Sequence, residues 1–232
     1  MERETFIKLL SSHGLELSPL QLQQLDDYAS FLKEYNEKIN LTAITEYEEV
    51  LEKHFYDSLL LSFHKEMKGS LCDIGSGAGF PGVVLKICYP ELKVDLVEPL
   101  GKRCVFLNEL IKREGLEGID VLNVRGEDLS RQAREKYDFV TARAVSSLNV
   151  LIEVCGALVK KDGYFIALRG KNGLEELKGA QRAFMEMGFK EEETFEEHLA
   201  DDSLRIISFY KKKEVTRGKF PRKYSIIKQK PL

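Results

Sequence analysis

The sequence predicts a doubly wound α/β fold: a mostly parallel seven-stranded sheet, ended by an antiparallel hairpin and preceded by a helical extension. Three observations carry that expectation. From about residue 70 onward, apolar runs of strand length alternate with stretches of helical periodicity, the signature of a parallel sheet covered on both faces. The first run leads straight into Gly75-Ser76-Gly77-Ala78-Gly79-Phe80-Pro81-Gly82, a cluster that lets backbone lie against a ligand. The last two runs follow one another across the acidic turn at Asp201-Asp202, a link too short for anything but an antiparallel pair.

Taken in order, residues 1–65 read as a helical extension. Ser18-Pro19-Leu20-Gln21 is a capping box with proline in the first turn, followed by Leu22, Leu25, Ala29 and Leu32 on one face. Asn36 to Thr42 reads as a loop, and Leu51, Phe55 and Leu59 give a further stripe at i, i+4, i+8. Residues 66–212 form the core, with strands expected at 71–74, 94–97, 119–124, 138–142, 163–168, 189–195 and 204–210. The helix at 102–113 ends at Gly115, a residue suited to a helix C-terminus. Pro81 suits the first position of the helix after the glycine cluster. Residues 213–232 make a basic C-terminal tail.

Composition bounds the function. With 232 residues, 43% hydrophobic and 31% charged, the chain can bury a core like that of an ordinary globular protein. It holds no 18-residue apolar stretch, and Met1-Glu2-Arg3-Glu4 begins no signal-type run, so a cytoplasmic protein without membrane contact is expected. Cys72, Cys88, Cys104 and Cys155 form no C-x-x-C pair, and buried reduced thiols are expected without a metal. The net charge of −3 is uneven: residues 211–232 carry nine Lys/Arg and one Glu, a balance of +8 that leaves −11 for residues 1–210. Such a run is either a solvated tail or, with Phe220, Tyr224, Ile226 and Ile227 interleaved, an edge that binds a polyanion.

The strand–glycine–helix corner marks a nucleotide site. Gly77-x-Gly79-x-x-Gly82 has dinucleotide spacing, which alone is weak evidence. Asp73, at the strand tip, favours a ligand with positive charge and no phosphate, because a pyrophosphate would rest on the nearby helix N-terminus. S-adenosyl-L-methionine has that chemistry. Acid, apolar residue, Gly-x-Gly-x-Gly resembles the first motif of the Rossmann-like class I methyltransferases that use it. A nicotinamide-linked oxidoreductase is the rival that the glycine spacing keeps open.

Ligands of doubly wound sheets bind beyond the carboxyl ends of the strands. Those ends place Asp73, Gly75, Gly77 and Phe80 first, and Glu98 second, where an acid can take both ribose hydroxyls. The third end offers Gly126 and Glu127 to an adenine edge. In the fourth, Thr141-Ala142-Arg143-Ala144 puts Arg143 near the methionine end and the acceptor, as the candidate catalytic residue. An amino-group methyltransferase of this class would carry Asp/Asn-Pro-Pro-aromatic there, and no cysteine follows a proline as the nucleophile of a C5-pyrimidine enzyme would. A ring nitrogen such as guanine N7 loses no proton on methylation, so positioning suffices, worth up to ~7–11 kcal/mol in favourable cases. His54, Asp57 and Ser58 could be drawn as a hydrolase triad, but Ser58 lies inside a helical stretch with no nucleophile elbow; a hydrogen-bond cluster or a ligand contact is expected instead.

Along nearly its whole length the chain resembles the bacterial RsmG (GidB) family. The matching pieces are Asn40-Leu41-Thr42, His54-x-x-Asp57-Ser58, the stretch from Asp73 to Gly82, Gly101-Lys102-Arg103 with Phe106-Leu107, Arg143-Ala144, and the ending from Phe220-Pro221-Arg222-Lys223 to Lys230-Pro231-Leu232. The resemblance implies a 16S ribosomal RNA guanine-N7 methyltransferase that uses S-adenosyl-L-methionine on a guanine of the 530 loop. It also implies donor contacts at Gly75, Phe80, Gly126, Glu127 and Arg143. Leu168-Arg169-Gly170-Lys171 stands where the family commonly has Leu-Lys-Gly, and Arg is not an equivalent point charge. The implied partner is 16S ribosomal RNA or the small ribosomal subunit; a monomer is expected to hold it through the N-terminal helices, the Lys102-Arg103 edge, Arg143 and the basic tail. A non-enzymatic RNA-binding or assembly protein with a relic donor site is the other alternative.

Overall fold

Ser70–Ile74 (β1) lies mid-sheet, flanked by Lys93–Val97 (β2) and Tyr137–Arg143 (β4) in parallel. Ile119–Leu122 (β3), Val159–Arg169 (β5), Phe189–His198 (β6) and Leu204–Lys212 (β7) complete the order β3-β2-β1-β4-β5-β7-β6. The strands β1 to β5 are parallel, and β7 runs antiparallel to both β5 and β6. The computed structural model describes residues 1–143 and 146–232, so Ala144 of the Arg143-Ala144 motif lies outside the described residues.

Neighbouring strand residues feed two cores, because side chains alternate between sheet faces. Leu71, Phe139, Ile166 and Ile207 join one core, while Cys72, Val140, Phe165 and Ile206 join the other. The first core is closed by Gly82–Cys88 (α5), Gly101–Arg113 (α6) and the N-terminal helices; the second by Gly126–Gln132 (α7), Leu148–Cys155 (α8) and Gly173–Glu186 (α9). Chain order reverses between β1 and β4, which opens the ligand crevice of such sheets.

The N-terminal region comprises Arg3–Ser12 (α1), Pro19–Asn36 (α2) and a helical run of Tyr47–Val50 (α3), Leu51–Tyr56 in π geometry and Asp57–His64 (α4). The capping box forms as expected: Gln21 N–H donates to Ser18 Oγ at 3.3 Å and Ser18 N–H to Gln21 Oε1 at 2.8 Å. Leu51, Phe55 and Leu59 are buried as the stripe requires, and the π turn, a feature frequent at functional sites, presents Lys53 and His54 beside β4. Tyr28 is fully buried and its hydroxyl donates to the Ala78 carbonyl, tying α2 to the glycine loop.

Some boundaries move. The third strand stops at Leu122 and not near 124, since Val124 N–H turns back to the Leu122 carbonyl and the Asn123 amide donates to the Glu98 carbonyl. Helix α5 begins at Gly82, with Pro81 as its N-cap. The basic C-terminus is folded onto the second core. Arg134 donates to the Thr216 and Phe220 carbonyls, Phe220 and Ile227 are buried, and Tyr224–Gln229 (α10) packs on α8. Lys212, counted among the tail's charges, is fully buried with its Nζ donating to the Gly156 and Met187 carbonyls and to Thr216 Oγ1. No helix among the described residues is long and apolar enough to cross a membrane, and none of their His, Cys, Asp and Glu side chains form a group that could hold a metal ion.

Candidate active site

The glycine loop satisfies its own amides. Gly75 and Ser76 donate to the Val97 carbonyl, Gly79 and Phe80 to Ser76, Gly77 to Glu98 Oε2 at 3.0 Å and Gly82 to Asp73 Oδ2 at 2.9 Å. Gly75 and Gly77 hold φ of +71° and +58°, a region glycine enters without steric cost. A dinucleotide corner would aim such amides at a pyrophosphate. Here two of them face carboxylates, so a diphosphate would meet like charge.

Asp73 is completely buried, and burial pushes its carboxyl up to about 7 against the opposing effect of the Gly82 N–H and the Arg143 charge. Its Oδ1 has no hydrogen-bond partner, which normally costs about 1–3 kcal/mol. Glu98, 2% exposed, receives Gly77 N–H on one oxygen and Leu100 N–H on the other at 2.8 Å. Each carboxylate oxygen keeps a further lone pair for a ligand hydroxyl. Arg103 Nη1 stands 3.6 Å from Glu98.

Two cavities flank this loop. The smaller, about 330 Å³, has Gly75 and Glu98 at one side, Gly126 and Glu127 at another, and an apolar wall from Ile74, Val97, Leu151 and Val154. At Gly126 a Cβ would come within 3.0 Å of Val154 Cγ1, so a side chain there would be crowded. The larger cavity, about 760 Å³, is lined by Lys53, His54, Asp57, Arg143, Arg169, Glu176 and Arg205 among others. Ser146 lines both.

Arg143 anchors the larger cavity. Its Nη1 reaches Asp57 Oδ2 at 3.2 Å and the Lys53 carbonyl at 3.3 Å, and its guanidinium lies 5.0 Å over the Phe80 ring. Asp57 also receives Arg205 Nε at 2.8 Å. Phe80 stacks on His54 at 4.3 Å, linking the glycine loop to the π turn. Burial and then the Arg143 charge depress the imidazole of His54 to about 4, so it is neutral at pH 7. A neutral ring has one donor and one acceptor: Nδ1 lies 3.1 Å from the Lys53 carbonyl and 3.3 Å from Arg143 Nη2, and Nε2 lies 2.9 Å from Thr42 Oγ1, which can take either role. Ser58 Oγ donates to the His54 carbonyl at 2.5 Å, so the three residues form a helix cluster and not a triad.

The structure thus collects Gly75, Glu98, Gly126 and Glu127 on one cavity and Arg143 on the other; Asp73, Gly77 and Phe80, expected as donor contacts, line neither and shape the glycine loop. Sequence reasoning passed over Lys53 and Arg205, and read Tyr224 only as part of a polyanion-binding edge. Arg205 sits in a strand of the hairpin with no local signal; only the β6–β7 register, Glu197 opposite Arg205, brings it to the crevice. Arg169 turns inward, 7% exposed, donating to the Leu168 and Ser146 carbonyls at 3.0 and 3.3 Å and lying 3.1 Å from Glu176.

Residues 21–205 match the family model described as GidB: rRNA small subunit methyltransferase G. A ribosomal RNA small subunit methyltransferase G from Lysinibacillus sphaericus is 42% identical over 237 aligned positions, covering 100% of both chains. One from Staphylococcus epidermidis is 46% identical over 239 positions, covering 100% of this chain and 99% of that protein. Among solved structures, a SAM dependent methyltransferase from Aquifex aeolicus superposes with a TM-score of 0.54 at 15% identity, covering 76% of this chain and 97% of that one, a likeness of fold. Motifs, fold and full-length similarity agree that the chain belongs to the rRNA small subunit methyltransferase G (GidB) family.

Proposed function

We propose that this chain methylates N7 of a guanine in the 530 loop of 16S ribosomal RNA, with S-adenosyl-L-methionine as donor. The observation that carries this reading is the pair of cavities that share Ser146 in their linings, one suited to a nucleoside and one rich in cations. When bound, the donor supplies a methyl group on a sulfonium that leaves as a neutral thioether. On the nucleoside side, Glu98 has lone pairs left for ribose hydroxyls, and Gly126 and Glu127 face an adenine edge. Gly75, which lines this cavity, suits the cationic amino-acid end, and the unpartnered Oδ1 of buried Asp73 stands two residues before it in the chain.

Lys53, Arg143, Arg169 and Arg205 outnumber the carboxylates Asp57 and Glu176 in the larger cavity, a net of +2 with His54 neutral. That balance suits a polyanion. Among the described residues no group there is poised as a general base: His54 is committed to Thr42 and its neighbours, Asp57 to two guanidinium groups and Glu176 to Arg169. Guanine N7 requires none. Arg143, fixed by Asp57 and the Phe80 face, orients the acceptor, and catalysis comes from alignment.

Incubation of the protein with labelled donor and small-subunit rRNA lacking the modification tests this. Labelled 7-methylguanine in the digest is the expected result. Donor binding without incorporation would overturn it in favour of an assembly role.

A further inference from the structure

We infer that the C-terminal helix closes the nucleoside cavity and that Tyr224 stacks on the purine of the ligand held there, an inference that rests on the adenosine-containing donor proposed above. Tyr224 is the one aromatic ring among the described residues lining this cavity. Tyr224 is 37% exposed, and the Arg125 guanidinium lies 5.9 Å from its ring centre. Arg125 in turn stands 3.8 Å from Glu127, and both line this cavity and not the cationic one.

The segment is fixed in this position by the helices that frame the cavity. Arg222 forms a paired contact with the fully buried Glu153 on α8, Nε to Oε1 at 2.7 Å and Nη2 to Oε2 at 2.6 Å, and its N–H donates to the same carboxylate at 3.1 Å. Arg131 of α7 donates to the Arg222 carbonyl at 3.0 Å. Ile227 is fully buried in the second core. Helix α8 also supplies Val150, Leu151 and Val154 to the cavity wall. One helix therefore holds both the wall and the anchor of the segment opposite it. A flat ring beside an apolar wall matches a purine, because every base has a π face to stack.

Calorimetry on the full chain tests the contact with two ligands, S-adenosylhomocysteine and 5′-methylthioadenosine, which lacks the amino-acid end. Tyr224→Ala should weaken both by the same factor, roughly tenfold or more, and Tyr224→Phe should bind like the parent chain. Equal binding by the Ala variant, within roughly twofold, overturns the inference and leaves the donor reading intact. Weakening confined to S-adenosylhomocysteine also overturns it, placing the contact at the amino-acid end. Failure of the unmodified protein to bind either ligand removes the donor reading and this inference with it. In that same unmodified protein, S-adenosylhomocysteine should slow tryptic cleavage after Lys223 and Lys228. Unchanged cleavage under saturating ligand would show that the helix does not close on it.

Discussion

Gly77 and Gly82 belong to one motif, yet the structure assigns them different jobs, and alanine at each separates these. At Gly77 the obstacle is backbone conformation: φ is +58°, and an added Cβ would find nothing nearer than 3.8 Å. A left-handed non-glycine residue costs roughly 1–2 kcal/mol. At Gly82 the obstacle is space. A Cβ there would strike Leu96 Cδ2 and come within 2.9 Å of Asp73 Oδ2, the atom that receives the Gly82 N–H. Overpacking costs about 1–3 kcal/mol, and a weakened bond to a buried carboxyl adds about 1.5–3 kcal/mol. Better helix propensity of alanine returns up to about 1 kcal/mol. The expected losses are about 1–2 kcal/mol for Gly77→Ala and about 2–5 kcal/mol for Gly82→Ala, with the larger fall in melting temperature for Gly82→Ala at ~2–4 °C per kcal/mol. Urea unfolding gives the comparison directly, provided the slopes with denaturant agree. Equal losses, or a larger one for Gly77→Ala, would refute the idea that Gly82 is required by the Asp73–Leu96 contact.

Two further outcomes follow from charge. His54 is depressed to about 4 by burial and Arg143, whereas an unfolded histidine titrates near 6.5. The unfolded chain therefore binds the extra proton first, and stability falls as pH drops from about 6.5 toward 4, by up to ~3 kcal/mol for this group. His54→Gln should flatten that part of the pH profile measured by urea unfolding; an unchanged profile would mean the ring is hydrated and charged. Lys219, Lys223, Lys228 and Lys230 are four of the seven tail cations outside the buried contacts of Lys212 and Arg222. Replacing these four with Gln should lower the log–log salt slope of RNA binding by roughly 0.7–0.9 for each phosphate they neutralise. A filter-binding series across salt concentration checks this, and an identical slope would mean they touch no phosphate.

Much of the fold was legible because its signals are local. The capping box at Ser18 and Gln21, the alternation of strand and helix, and the glycine loop each depend on residues a few positions apart. The π turn was not legible: Leu51, Phe55 and Leu59 keep a helical stripe whether the turn is α or π. Nor was the carboxylate that joins Arg143 to Arg205 through Asp57, since those contacts span 86 and 148 positions of sequence. The aromatic residues among the C-terminal basic ones could be read as a polyanion edge, and only packing against α8 shows Ile227 as core and Arg222 as the partner of a buried acid.

By itself the sequence determined the order of strands and helices, the glycine corner and the kind of ligand it suits, because steric preference, periodicity and residue chemistry act over short stretches. Tertiary structure alone decided which charges face water, which face each other and which stand alone. Asp73 becomes a buried acid with one unpartnered oxygen, His54 a neutral ring and the basic C-terminus a packed segment. Desolvation and pairing depend on what distant parts of the chain bring alongside, and no local pattern encodes that neighbourhood.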